Sequence, residues 1–221
     1  METRTISEKL FEDLCSTRCV ECVRIPETTH ETADYCVFLD SLTLVTEIKQ
    51  LDPNDDDEKL AKTWCNPNSP PVAASSERVK GLLKRGYPQV KRLSEGKLPT
   101  MIVVYNNSGS WNWIDTFSVT KAMFGSCGIV LGLQPNQKVS VVGQGFMGKR
   151  AITKDILRSL SVVGVLKHDQ TNKLILDCYH NPFAHVFVEP KLLAKLANTQ
   201  YMHTNPHDRG FIPWEPTMIQ V

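Results

Sequence analysis

The stretch that most constrains this chain runs from Ala33 to Leu51, ADYCVFLDSLTLVTEIKQL, because it is apolar enough for buried strands and carries charges where buried strands normally carry none. It reads as two strands, Tyr35 to Leu39 and Leu42 to Ile48, joined at Asp40 and Ser41. Tyr35, Val37, Leu39, Leu42, Leu44 and Ile48 supply one apolar face and Cys36, Phe38 and Val45 the other, as in a sheet covered on both sides. If Asp40 and Ser41 form a two-residue loop, Leu39 pairs with Leu42 and Asp34 falls opposite Glu47, at about 5 Å between Cβ atoms. Alternation puts Lys49 on the face of Glu47. Two carboxylates so close repel unless a cation sits between them, and a divalent ion with a neighbouring ammonium meets that need. A one-residue slip would send Asp34 to the other face, and an edge hairpin with solvated charges is the plainer alternative.

An Asp opening one strand, followed after twelve residues by Glu-x-Lys in the next, resembles the PD-(D/E)XK nuclease superfamily, whose members are similar to restriction endonucleases and Holliday-junction resolvases. Ala33 stands where the Pro of that motif would be. An amphipathic helix before the hairpin, with a basic helix and an apolar strand after it, places the resemblance within residues 1–105. It implies an α/β fold, a restriction-endonuclease-like mixed β-sheet flanked by helices, with residues 106–221 as a β-rich C-terminal extension packed on the same domain. It further implies a magnesium- or manganese-dependent phosphodiester hydrolase. Asp34, Glu47 and the main-chain carbonyl of Ile48 would hold the ion, with Glu8 as an extra carboxylate and Lys49 acting on the attacking water or the phosphate. The expected partner is nucleic acid, DNA rather than RNA, with a homodimer as one state the reading allows. The alternative is a non-catalytic binding module of the same fold.

Glu8 has a competing reading. Thr5 and Glu8 fit a capping box at the start of a helix from Thr5 to Cys15, whose stripe is Ile6, Leu10, Phe11 and Leu14. Glu12 is the reserve carboxylate.

Charge is nearly balanced overall, at +1, which argues against coating nucleic acid by bulk charge. Locally it is not. Glu77 to Lys97 carries seven basic and two acidic residues, and Asp52, Asp55, Asp56, Asp57 and Glu58 precede it. The resemblance implies that Gln89 and Lys91 of this helix face the metal cleft, and with Lys80 and Lys84 they are the candidate substrate-binding residues, the helix being expected from Ser76 to Ser94 with an interruption near Gly86 and Pro88. A solvated helix flank explains the charge nearly as well.

Several other patterns carry less. Cys15, Cys19 and Cys22 have the C-x3-C-x2-C spacing of a cluster site resembling radical S-adenosylmethionine enzymes, but Cys15 continues a helix, so buried thiols are the better reading. Seven Cys, an odd number at irregular spacing, exclude a complete disulfide framework. Gly143, Gly145 and Gly148 match G-x-G-x-x-G without a helix following at once, so a loop with Lys149 and Arg150 is expected there. His203 and His207 have ligand spacing broken by Pro206, and Trp111 and Trp113 are candidates for base stacking. His180 and Asn181 suggest a turn. Strands are expected at Met101 to Tyr105, Ile129 to Leu133, Val139 to Val142, Ser161 to Lys167 and Lys173 to Tyr179, and a helix at Pro190 to Met202. Asn66 to Ser76 reads as an exposed loop. No apolar run reaches the roughly 18 residues of a membrane span and no secretory signal opens the chain, so an intracellular, cytoplasmic protein is expected.

Overall fold

In the computed structural model, which describes residues 4–26, 32–55, 59, 72–73, 76–107, 112–133, 139–202 and 215–217, the apolar segments assemble into one mixed sheet. Helix α1 (Ile6–Thr17) and strand β1 (Glu21–Arg24) lead into the hairpin β2 (Tyr35–Leu39) and β3 (Leu42–Leu51). A short β4 (Val72–Ala73) precedes the long helix α2 (Ser76–Ser94) and strand β5 (Thr100–Asn106). Then come β6 (Asn112–Trp113), α3 (Thr116–Phe124), the hairpin β7 (Ser126–Leu133) and β8 (Val139–Met147), and the hairpin β9 (Val162–His168) and β10 (Leu174–His180). The chain closes with α4 (Pro190–Leu193), β11 (Thr199–Met202) and β12 (Glu215–Thr217).

The main sheet has eight strands in the order β1-β2-β3-β5-β9-β10-β11-β12. Its inner pairs β3·β5 and β5·β9 are parallel, which requires crossovers, and α2 supplies the first of them. The β1·β2, β2·β3 and β9·β10 pairs are antiparallel. Strand alternation then divides the core into two layers. On one face Val45, Ile102, Val104, Val163 and Val165 pack with Val79, Leu82, Leu83 and Val90 of α2 and with α3. On the other, Tyr35, Val37, Leu44, Ile48, Met101 and Val103 pack with Phe11 and Leu14 of α1 and with Leu193 and Leu196. Both faces are covered at the centre, as the two apolar faces of the hairpin suggest. Residues 162–180 thus extend the sheet begun by residues 21–106, while β7 and β8 form a separate two-stranded sheet.

Four local expectations change. Helix α2 runs unbroken through Gly86 and Pro88; Pro88 is exposed, so the unpaired carbonyl one turn before it can be hydrated. The helix expected over Pro190 to Met202 stops at Leu193, and Thr199–Met202 joins β10 as a parallel strand. Asn198 fixes that change of direction: its amide donates to the Leu176 carbonyl at 2.7 Å and its side-chain oxygen accepts from Leu176 N at 3.1 Å. Gly143 and Gly145 lie within β8, paired with Val130 and Gly128, instead of in a loop before a helix. Helix α3, which no sequence pattern marked, is started by Asp115, whose carboxylate accepts from Ser118 N at 2.7 Å. No helix among the described residues is long and apolar enough to cross a membrane.

Candidate active site

The hairpin closes at Asp40, which takes the left-handed conformation (φ 50°), and pairs Leu39 with Leu42 through to Tyr35 with Thr46. That register carries Asp34 to a place opposite Glu47. The Asp34 amide donates to the Thr46 carbonyl at 3.1 Å and its Oδ2 accepts from Ile48 N at 2.7 Å. In an extended strand the amide and carbonyl of one residue leave by the same edge, so the Ile48 carbonyl is directed to the Asp34 side as well.

Glu47 is 1% exposed. Its Oε1 pairs with the Lys49 ammonium, and its Oε2 is buried with no hydrogen-bond partner. Burial, then the charge of Asp34, push its carboxyl up to about 8, against the opposing pull of Lys49. Asp34 is raised as well, first by desolvation and next by Glu8, with the Ile48 amide working the other way. The Asp34 and Glu47 carboxyls lie close enough to hydrogen-bond to each other when one of them is protonated, and a bound cation could take the place of that proton. Asp34, Glu47 and the Ile48 carbonyl are the groups here that could hold a divalent ion. Among the described residues no group of three or more His, Cys, Asp or Glu side chains stands ready to hold a metal.

Glu8 closes the capping box. Its Oε2 accepts from Thr5 N at 2.6 Å and Thr5 Oγ1 at 2.7 Å, and its Oε1 lies 3.3 Å from Arg24 Nη2. It is near enough to Asp34 to raise it, but its oxygens have partners. Glu12 accepts from the Tyr35 hydroxyl at 2.9 Å and pairs with Arg4 at 3.2 Å.

Helix α2 covers the site at Gly86. A Cβ there would lie 3.2 Å from Glu47 Cγ, 3.3 Å from Ile102 Cδ1 and 3.4 Å from Lys49 Cε, so this position admits the close approach because it lacks one. Of the other candidates on this helix, Gln89 is half-buried with an unpartnered side-chain oxygen, whereas Lys84 and Lys91 are exposed and Lys91 lies over the Tyr87 ring at 5.9 Å. Lys80 is buried, its Nζ 3.4 Å from Glu77 Oε1 and 3.3 Å from the Lys149 carbonyl, so it braces the segment after β8 instead of meeting solvent. Sequence patterns did not point to Arg24 or Gly86 as parts of the site. Arg24 lies in a strand that no hydrophobic run marked, and Gly86 read only as a helix breaker.

Elsewhere, Cys15 is buried, Cys22 half-buried and Cys19 exposed with φ 53°. The Cys15 thiol and burial hold the Cys22 thiol far above the ordinary range. His180 ends β10 and shares a 2.8 Å hydrogen bond with Gln200, and Asn181 turns the chain by donating to the Leu160 carbonyl at 2.7 Å. Trp111, His203 and His207 lie outside the described residues, as does most of Asn66 to Ser76. No protein-family model, no curated protein and no solved structure matches this chain.

Proposed function

We propose that this protein is a divalent-metal-dependent nuclease, a phosphodiester hydrolase of the PD-(D/E)XK kind, acting on DNA in preference to RNA. The observation that carries the reading is Glu47, whose buried Oε2 has no hydrogen-bond partner while its Oε1 pairs with Lys49 and the Asp34 charge lies close by. Within the order α1-β1-β2-β3-β4-α2-β5, the helix, hairpin, second helix and strand that carry the resemblance are all present with β3 parallel to β5, which supports a restriction-endonuclease-like core. Asp34, Glu47 and the Ile48 carbonyl would hold the ion, magnesium or manganese. When bound, it supplies a water of lowered pKa and polarises the scissile phosphate. Lys49 then exchanges its pairing with Glu47 for the attacking water or a phosphate oxygen, and stabilises negative charge as it builds there. Gly86 lets α2 come down against Glu47 and Lys49.

The test is cleavage of linear, circular and single-stranded DNA and RNA with magnesium, manganese or chelator, beside Lys49→Ala and Glu47→Ala. Metal-dependent cutting that both substitutions abolish is expected, and full activity of Lys49→Ala would remove Lys49 from the mechanism. A second reading, a non-catalytic module of the same fold, is favoured by one observation: fewer than three acidic or imidazole ligands are grouped among the described residues. Calorimetric titration separates the two. Magnesium binding lost in Asp34→Ala supports the enzyme, and a folded protein that binds no metal supports the module.

A further inference from the structure

Helix α2 has a second face. From Arg78 to Ser94 the sequence contains six cations and no carboxylate. Lys84, Arg85, Lys91 and Arg92 are all exposed. Seven-residue spacing stacks Lys84 under Lys91 and Arg85 under Arg92, because two helical turns nearly close in seven residues. The inward direction of the helix is fixed by Gly86 against Glu47. At 100° per residue the four cations fall on the opposite arc, about 12 Å long from Lys84 to Arg92. Among the described residues neither Lys84 nor Arg85 forms an ion pair. A second element joins this arc. The Lys80 ammonium, on the flank shared with Lys84 and Lys91, holds the Lys149 carbonyl at 3.3 Å, and Lys149 and Arg150 are exposed.

We propose that this outer arc of α2, with Lys149 and Arg150 beside it, grips the phosphate backbone of a nucleic acid away from the point of cleavage. The proposal rests on the nuclease reading for its choice of polyanion and specifies a substrate that reaches beyond the nucleotides at the cleavage point. Like-charged residues cluster on one arc at an electrostatic cost that a polyanion removes by releasing its own counterions. The arc stands one helix diameter, about 10–12 Å, from the site groups under Gly86. At about 3.4 Å per nucleotide, the phosphates it holds lie at least about three nucleotides from the one being attacked. The protein therefore needs a substrate that spans that distance.

The experiment is binding of labelled duplex DNA, single-stranded DNA and duplex RNA by fluorescence anisotropy in chelator, over a range of salt. The combined variant Lys84→Ala, Arg85→Ala, Lys91→Ala, Arg92→Ala, shown folded by circular dichroism, is compared with wild type. The slope of log affinity against log salt is expected to fall by about 3 to 4, close to 0.9 for each phosphate no longer neutralised. Lys149→Ala with Arg150→Ala should lower it by up to about 2 on the same basis. An unchanged slope in the fourfold variant overturns the proposal, as does wild-type protein that binds none of the three nucleic acids, or that binds anionic phospholipid vesicles with the steeper slope. Since chelator stops chemistry, the two readings fail separately. Binding without cutting sinks the nuclease and leaves the arc, whereas cutting with an unchanged slope sinks the arc alone.

Discussion

Glu47 is the residue on which the site turns. Its carboxyl is raised from an ordinary 4.5 to about 8 by burial and by the neighbouring Asp34. Between those values the folded state holds a proton that the unfolded chain has released, so stability is highest at low pH in this window and is lost as pH rises towards 8. Denaturant unfolding in chelator at pH 5.5 and 8.5 should show that fall. Glu47→Gln should flatten it and added magnesium should reverse it, because metal selects the ionised carboxylate; an equal slope in the Gln variant would assign the effect to other groups. Lys49→Ala should lower cleavage by at least about 10²–10³-fold, the cost of removing one preorganised donor to developing charge, with little loss of melting temperature since Lys49 is partly exposed. Asp34, Glu47 and Lys49 were legible in the sequence because strand alternation and a two-residue loop fix which side chains share a face. The engagement of Glu8 was legible only as a pair of alternatives, since the capping box is local while Arg24 reaches it through tertiary structure.

At the scale of elements, helix α2 and strand β9 each approach their neighbours where a glycine lacks a side chain. Gly86→Ala gains about 0.5–1 kcal/mol of helix propensity but crowds Glu47 Cγ and Lys49 Cε. Melting should stay near wild type while cleavage falls by about 10–100-fold, the usual penalty for displacing catalytic groups by a fraction of an ångström to one. A variant with wild-type cleavage would show that Glu47 and Lys49 are not held by the helix. Gly164 is different. A Cβ there would sit 3.1 Å from both Leu176 Cδ1 and Val103 Cγ2, in the centre of the sheet. Gly164→Ala should cost about 1–3 kcal/mol by overpacking, read as a drop of about 2–4 °C in melting temperature for each kcal/mol. Strands β2, β3, β5, β7, β8, β9 and β10 and helix α1 could be read from apolar runs, whereas β1, β4, β6, β11, β12 and the turn at Asn198 could not. β1 has four residues with only one aliphatic, Val23, and Thr199–Met202 continues a helix-like pattern until pairing with β10 outweighs propensity.

The whole molecule is tied together by the pairing of β5 with β9. The motif-bearing segment 1–105 ends where β5 does, yet Met101 to Val104 are buried and Met101 to Tyr105 pair with Val162 to Leu166. A fragment of residues 1–106 should therefore expose a long apolar edge and aggregate or remain unfolded by circular dichroism; a monomeric fragment with cooperative melting would show instead that the extension is dispensable for folding. The same pairing has a temporal side. All the groups proposed for catalysis are made before residue 50, but Val162 emerges more than a hundred residues after Lys49. At ordinary elongation rates the interval is on the order of ten seconds. Until β9 arrives, β5 lacks its partner along that edge, and the groups proposed for catalysis sit on an incomplete sheet while the nascent chain is still attached to the ribosome.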